Sequence, residues 1–111
     1  MTLTPHSAQV VYEMLAQLPP FKPLKMPPSQ DVIFEINNDP ACYGEYEPEH
    51  IIRISKAKVG WLETLIKTVA HEMVHLHLYQ IRYKDWDKHD KKFLYYANRI
   101  SNTMGFDPKE F

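Results

Sequence analysis

The run His71-Glu72-Met73-Val74-His75 carries two imidazoles four residues apart, with a carboxylate beside the first. On a helix, residues i and i+4 stand one above the other on the same face, so both rings can reach one cation. Glu72 lies about a quarter-turn round at 3.6 residues per turn, within reach of a metal-activated water but poorly set to be a third ligand. Two His ligands, a base and an open coordination position are the parts of a zinc peptidase. A chance copy of this pattern would usually fall on a solvated face. Here it falls in the most apolar part of the chain, between Leu65 and Ile81. Burying two His and a Glu among Val, Leu and Met is costly unless they are hydrogen-bonded or bound to metal.

A catalytic zinc usually takes three protein ligands and a water. His89 is the best third candidate, fourteen residues after His75. A helical hairpin with a short loop would carry it back towards the metal helix. Asp87 or Asp90 could supply a carboxylate instead. His77 is six residues from His71 and points to another face, as a packed or supporting residue. His50 and His6 read as structural or surface histidines. Glu110 would suit a site of two His and one Glu, but it lies in a tail expected to be loose. Tyr43, Tyr46, Tyr79 and Tyr83 can donate a hydrogen bond, and the first three are candidates for a substrate rim, although tyrosines are more often core residues.

The elements that must position these groups are legible as pattern. Thr4-Pro5 reads as an N-cap followed by Pro at the first helical position. Val10, Val11, Met14, Leu15 and Leu18 then make an apolar stripe, predicting a helix over 5–18 that Pro19-Pro20 ends. Residues 19–30 hold five of the nine prolines and read as an extended connector. Three strands are predicted at 31–37, 41–47 and 50–55, with Gly44 marking a bulge or a close backbone approach. The short connections imply an antiparallel meander. A long helix is predicted from about 60 to 83, buried on two sides, with His71 and His75 on the side that lines a cleft. Asp87 as N-cap with Asp90 three residues on would open a last helix with Phe93, Ala97, Ile100 and Met104 on its core stripe. Gly105 is expected just past its end. The fold class is α+β: an N-terminal helix, a three-stranded antiparallel sheet, the metal helix and a C-terminal helix.

Composition bounds the partners. At 111 residues the chain is one domain with a modest core. No apolar run approaches the roughly 20 residues that span a bilayer, and the N-terminus lacks the pattern of a signal peptide. Cys42 is the only cysteine. It excludes an internal disulfide and an all-cysteine zinc ribbon, and it fits a reducing, cytoplasmic setting. A buried strand position is expected for it rather than a role at the metal. Net charge is −1, but residues 1–50 set two Lys against seven Asp/Glu and residues 51–111 set eleven Lys/Arg against seven. The cluster Arg82, Lys84, Lys88, Lys91, Lys92 and Arg99 reads first as a solvated helix face. Read functionally, it is a weak basic patch for DNA or an acidic substrate.

Three segments carry a family resemblance: Tyr46-Glu47-Pro48-Glu49-His50-Ile51-Ile52-Arg53-Ile54-Ser55, Leu65 through His75, and Lys88-His89-Asp90-Lys91-Lys92-Phe93. Their order resembles the SprT-like metallopeptidase domain, also found in Spartan proteases. That family has a glycine–tyrosine strand, an apolar strand ending near Ser, the H-E-x-x-H helix, then a His followed by Phe. The resemblance covers 42–105 well and the first 40 residues weakly. It implies a zincin-like fold across the single domain, one Zn2+ on His71, His75 and His89, Glu72 as catalytic base, and a protein or peptide substrate. The family often has Gly-His-Gly where this chain has Lys88-His89-Asp90. Many members carry a zinc ribbon or DNA-binding tail, and the reading here is of a minimal version, with nucleic acid reached only through the basic patch or a partner. The competing expectation is a non-catalytic, zinc-stabilised binding module, a phage or bacterial accessory factor. A third is a latent enzyme, with the tail or the proline-rich connector in the cleft.

Overall fold

The computed structural model describes residues 2–111. The first helix, α1 (Pro5–Ala16), opens on a reciprocal cap: Thr4 Oγ1 accepts from Ser7 N at 3.1 Å and Thr4 N donates to Ser7 Oγ at 2.8 Å. It ends two residues before the expected boundary. Its buried stripe is Ala8, Val11, Tyr12 and Leu15, an i, i+3, i+4, i+7 set. Val10, Met14 and Leu18 of the expected stripe are 47%, 43% and 40% exposed, so the core-facing side is rotated towards Ala8 and Tyr12. The Tyr12 phenol donates to Pro27 O at 2.6 Å and ties down the proline-rich connector, where Phe21 is fully buried. The connector is not extended throughout; it makes single helical turns at Lys22–Leu24 and Ser29–Asp31.

The three strands are β1 (Ile33–Asn37), β2 (Gly44–Glu47) and β3 (Ile51–Ser55), in the order β1-β3-β2. The expected antiparallel meander is therefore wrong. β1 runs parallel to β3, with Ile33 beside Ile51, and only β2 is antiparallel to it. The physical reason lies in β3, whose Ile52 and Ile54 are fully buried and which takes the centre. The link over residues 38–43 must then cross two strand spacings, roughly 9–10 Å, well inside the roughly 20 Å that six residues can reach. It is held there by Asp39 Oδ1, which accepts from Ala41 N, and by Ser55, whose hydroxyl donates to Asp39 O and whose N–H donates to Tyr43 O. Glu49 and His50, both left-handed (φ 76° and 63°), turn β2 into β3. On the outer face, Arg53 reaches carboxylates of both flanking strands, Glu35 at 2.7 Å, Glu45 at 3.2 Å and Glu47 at 3.3 Å.

Helix α2 (Leu62–Gln80) packs its Leu65, Val69, Met73 and Leu76 into the core between α1 and the sheet. Its last turn closes at Arg82, left-handed at φ 62°. Helix α3 (Lys91–Met104) starts later than Asp87 predicts. Asp90 is the N-cap, accepting from Phe93 N at 3.1 Å while its other oxygen takes the Tyr83 phenol. His89 thus sits in the loop just ahead of the helix. Phe93, Ala97 and Ile100 face the core as expected, and Gly105 caps the helix in the left-handed conformation (φ 80°). After α3, Asp107 caps a turn at Pro108–Glu110 that brings Phe111 against α2. No helix of the described residues is long and apolar enough to cross a membrane.

Candidate metal centre

His71 and His75 project from one face of α2, and the loop over residues 81–90 returns His89 to them. His89 Nε2 lies 3.1 Å from His71 Nε2 and 3.2 Å from His75 Nε2. Two imidazoles cannot both donate across such contacts, and the outer nitrogens decide where the protons are. His75 Nδ1 faces Trp86 O at 2.7 Å and His71 Nδ1 faces Phe111 O at 3.2 Å. A carbonyl oxygen only accepts, so each Nδ1 carries the proton and each Nε2 presents a lone pair. Zinc–nitrogen bonds of about 2.0–2.1 Å in tetrahedral array put ligand nitrogens about 3.3 Å apart. The donor set fits a zinc-sized cation: these three side chains could hold a metal ion. The Phe93 ring, buried at the start of α3, lies 4.8, 4.7 and 4.5 Å from the rings of His71, His75 and His89 and makes an apolar floor.

Burial sets the protonation. The His71 pKa is pushed down to about 4, first by desolvation and then by the two neighbouring His, so it is neutral and ligand-competent near pH 7. Desolvation lowers His75 in the same way. Glu72, 4% exposed, is pushed up to about 8 by desolvation, with Glu45 adding to it. A cation on the three His would offset that cost and return Glu72 to its carboxylate.

Glu72 faces a cleft of about 720 Å³ between α2 and the start of β2, with His71, Thr68, Tyr43 and Cys42 among its walls. Gly44 is where the sheet comes closest. A Cβ there would lie 2.8 Å from Arg53 O, 2.8 Å from Thr68 Cγ2 and 3.4 Å from Glu72 Oε2. The expected close approach is therefore real, and only glycine fits between ladder and helix.

The other expected residues separate cleanly. Tyr43 stands on the cleft rim, half exposed. Tyr46 and Tyr79 do not; they pack edge-on against each other and against Trp86, and the Tyr46 phenol pairs with His50 Nδ1 at 3.1 Å. An inward position on a strand that packs on α2 buries Tyr46. Asp87 and Asp90 do not join the His cluster, and Asp90 is occupied as a cap. His77 is buried beside Tyr96, and His6 is exposed on α1. Glu110 pairs with Lys67 at 3.6 Å. Cys42 is half-buried in the link before β2 rather than within a strand, its thiol donating to Asp39 Oδ2 at 3.3 Å. Sequence reasoning missed Trp86 and Phe111. They contribute main-chain oxygens, for which side-chain type carries no signal.

No curated protein and no solved structure matches the chain. The model of the SprT-like family matches residues 21–110, taking in all three strands, the His cluster and Glu72. The chain belongs to the SprT-like family.

Proposed function

We propose that the protein is a zinc-dependent endopeptidase of zincin-like fold, with one Zn2+ per chain on His71, His75 and His89 and with Glu72 as general base. The observation that carries this reading is the convergence of two proton-free Nε2 atoms on a third imidazole, beside a buried carboxylate in an open cleft. Zinc bound there supplies Lewis acidity, acidifying a water and polarising the scissile carbonyl. Glu72 takes the proton of the attacking water and delivers it to the leaving amine. The substrate is a protein or peptide. β2 pairs with β3 on one side only, so its other edge offers main-chain groups to an extended peptide, which adds as a further strand. Tyr43 borders that strand on the rim. In the basic cluster Lys88 pairs with Asp85, Lys92 lies over Tyr83 and Arg99 over Tyr95. Nucleic acid enters the reading only through the weak remaining patch or a partner.

The test is hydrolysis of an unfolded protein by the zinc-loaded enzyme. Cleavage that stops on chelation and returns with zinc is the expected result. Cleavage that survives removal of the metal would contradict the assignment.

A further inference from the structure

His71 and His75 are oriented by different parts of the chain. The acceptor for His75 Nδ1 is Trp86 O, in the same loop that delivers His89. The acceptor for His71 Nδ1 is Phe111 O, forty residues further along. Phe111 is held there from several sides. Gly105 and Phe106 both donate to Ser101 O and turn the chain off α3. Asp107 Oδ1 accepts from Lys109 N at 3.0 Å and shapes the turn Pro108–Glu110. Lys67, one turn ahead of His71 on α2, pairs with Glu110 at 3.6 Å and sets its ammonium 5.5 Å from the Phe106 ring. The Phe111 ring lies 5.5 Å from His71 and 6.3 Å from Phe93. The segment touches the nitrogen of His71 that faces away from the His cluster, so it braces the ligand and does not compete for the metal.

We propose that residues 106–111 are a built part of the metal centre, with Phe111 as the positioning residue of His71. Its main-chain oxygen fixes the tautomer and the ring plane in which Nε2 points at the metal, as Trp86 does for His75. The inference rests on the zinc reading above. Outer acceptors of this kind are typically worth about 10–100-fold in metal affinity.

The experiment compares the full chain with a variant lacking residues 107–111. Zinc affinity is measured by chelator competition, and the imidazole Nδ1–H signals are followed by 15N NMR. Loss of the segment is expected to weaken zinc by about 10–100-fold and to expose the His71 Nδ1–H to solvent exchange while the His75 signal persists. Lys67 also pairs with Glu63 at 3.5 Å, so Lys67→Glu, which repels both carboxylates, is expected to weaken zinc in the same direction, and Lys67→Glu with Glu63→Lys and Glu110→Lys to restore it; this charge swap carries the test if the deletion unfolds the chain. Equal affinity and an intact His71 signal without the segment, or a charge swap that restores nothing, would overturn the inference alone. A full chain with no zinc affinity would overturn the zinc reading and this inference with it.

Discussion

Glu72→Gln is expected to keep its zinc and lose its turnover. The amide has the shape of the carboxylate but cannot accept the proton of the attacking water. A positioned general base contributes about 10²–10⁴ in rate, so kcat should fall at least about 100-fold. Metal binding should hold, because the three His set the donor geometry and Glu72 is not among them. Parallel measurement of zinc per chain and of kcat separates the two effects. A Gln variant with more than about a tenth of wild-type turnover would be incompatible with a general-base contribution of that size and would sink the assignment of Glu72.

The same substitution should have a second large effect in the metal-free protein, on stability. The Glu72 carboxyl is buried and its pKa is pushed up to about 8, chiefly by desolvation. A folded pKa raised above the unfolded value means that the group's contribution is fully present below about pH 4.5 and is lost as pH rises through 8. Ionising it in the unfolded chain only should cost on the order of 3 kcal/mol between pH 5 and 8. His71 works in the opposite sense. Its pKa is lowered to about 4, so its contribution is present above about 6.5 and is lost as pH falls towards 4. The wild-type profile is therefore flattened, and the difference between Glu72→Gln and wild type isolates the carboxylate. Urea unfolding in chelator should show the Gln variant gaining on wild type from pH 5 to pH 8. A difference that does not change with pH would mean that Glu72 ionises freely in the folded state. Zinc should reduce the gap, since a cation favours the carboxylate.

Much of the site was legible because helical spacing is a local property. His71 and His75 at i and i+4 fix a common face wherever the helix packs, and a short loop returns His89 whatever the start of α3. Gly44 was legible for the same reason, as a glycine among tyrosines in a strand. The sheet order was not. The pairing of Ile33 with Ile51 joins residues 18 apart, and no local pattern separates that register from a hairpin between neighbours. The start of α3 turned on two aspartates three residues apart, each an acceptable cap. Asp90 prevails because Tyr83 and Phe93 N both reach its carboxylate. The rotation of α1 shows a third limit. Leu15 belongs to either stripe, and the phenol of Tyr12, bonded to Pro27 O, favours the face that tethers the connector. The main-chain oxygens of Trp86 and Phe111 lay furthest from sequence reasoning, since every residue has one.

Whether three histidines make one zinc site is decided by metal content per chain, measured side by side in wild type and in His89→Ala. One zinc per wild-type chain and much weaker retention in the variant are expected, with His71 and His75 left as a two-ligand remnant. Wild type without zinc, or zinc held equally well without His89, would contradict the three-histidine site and turn the reading towards a binding module without catalysis.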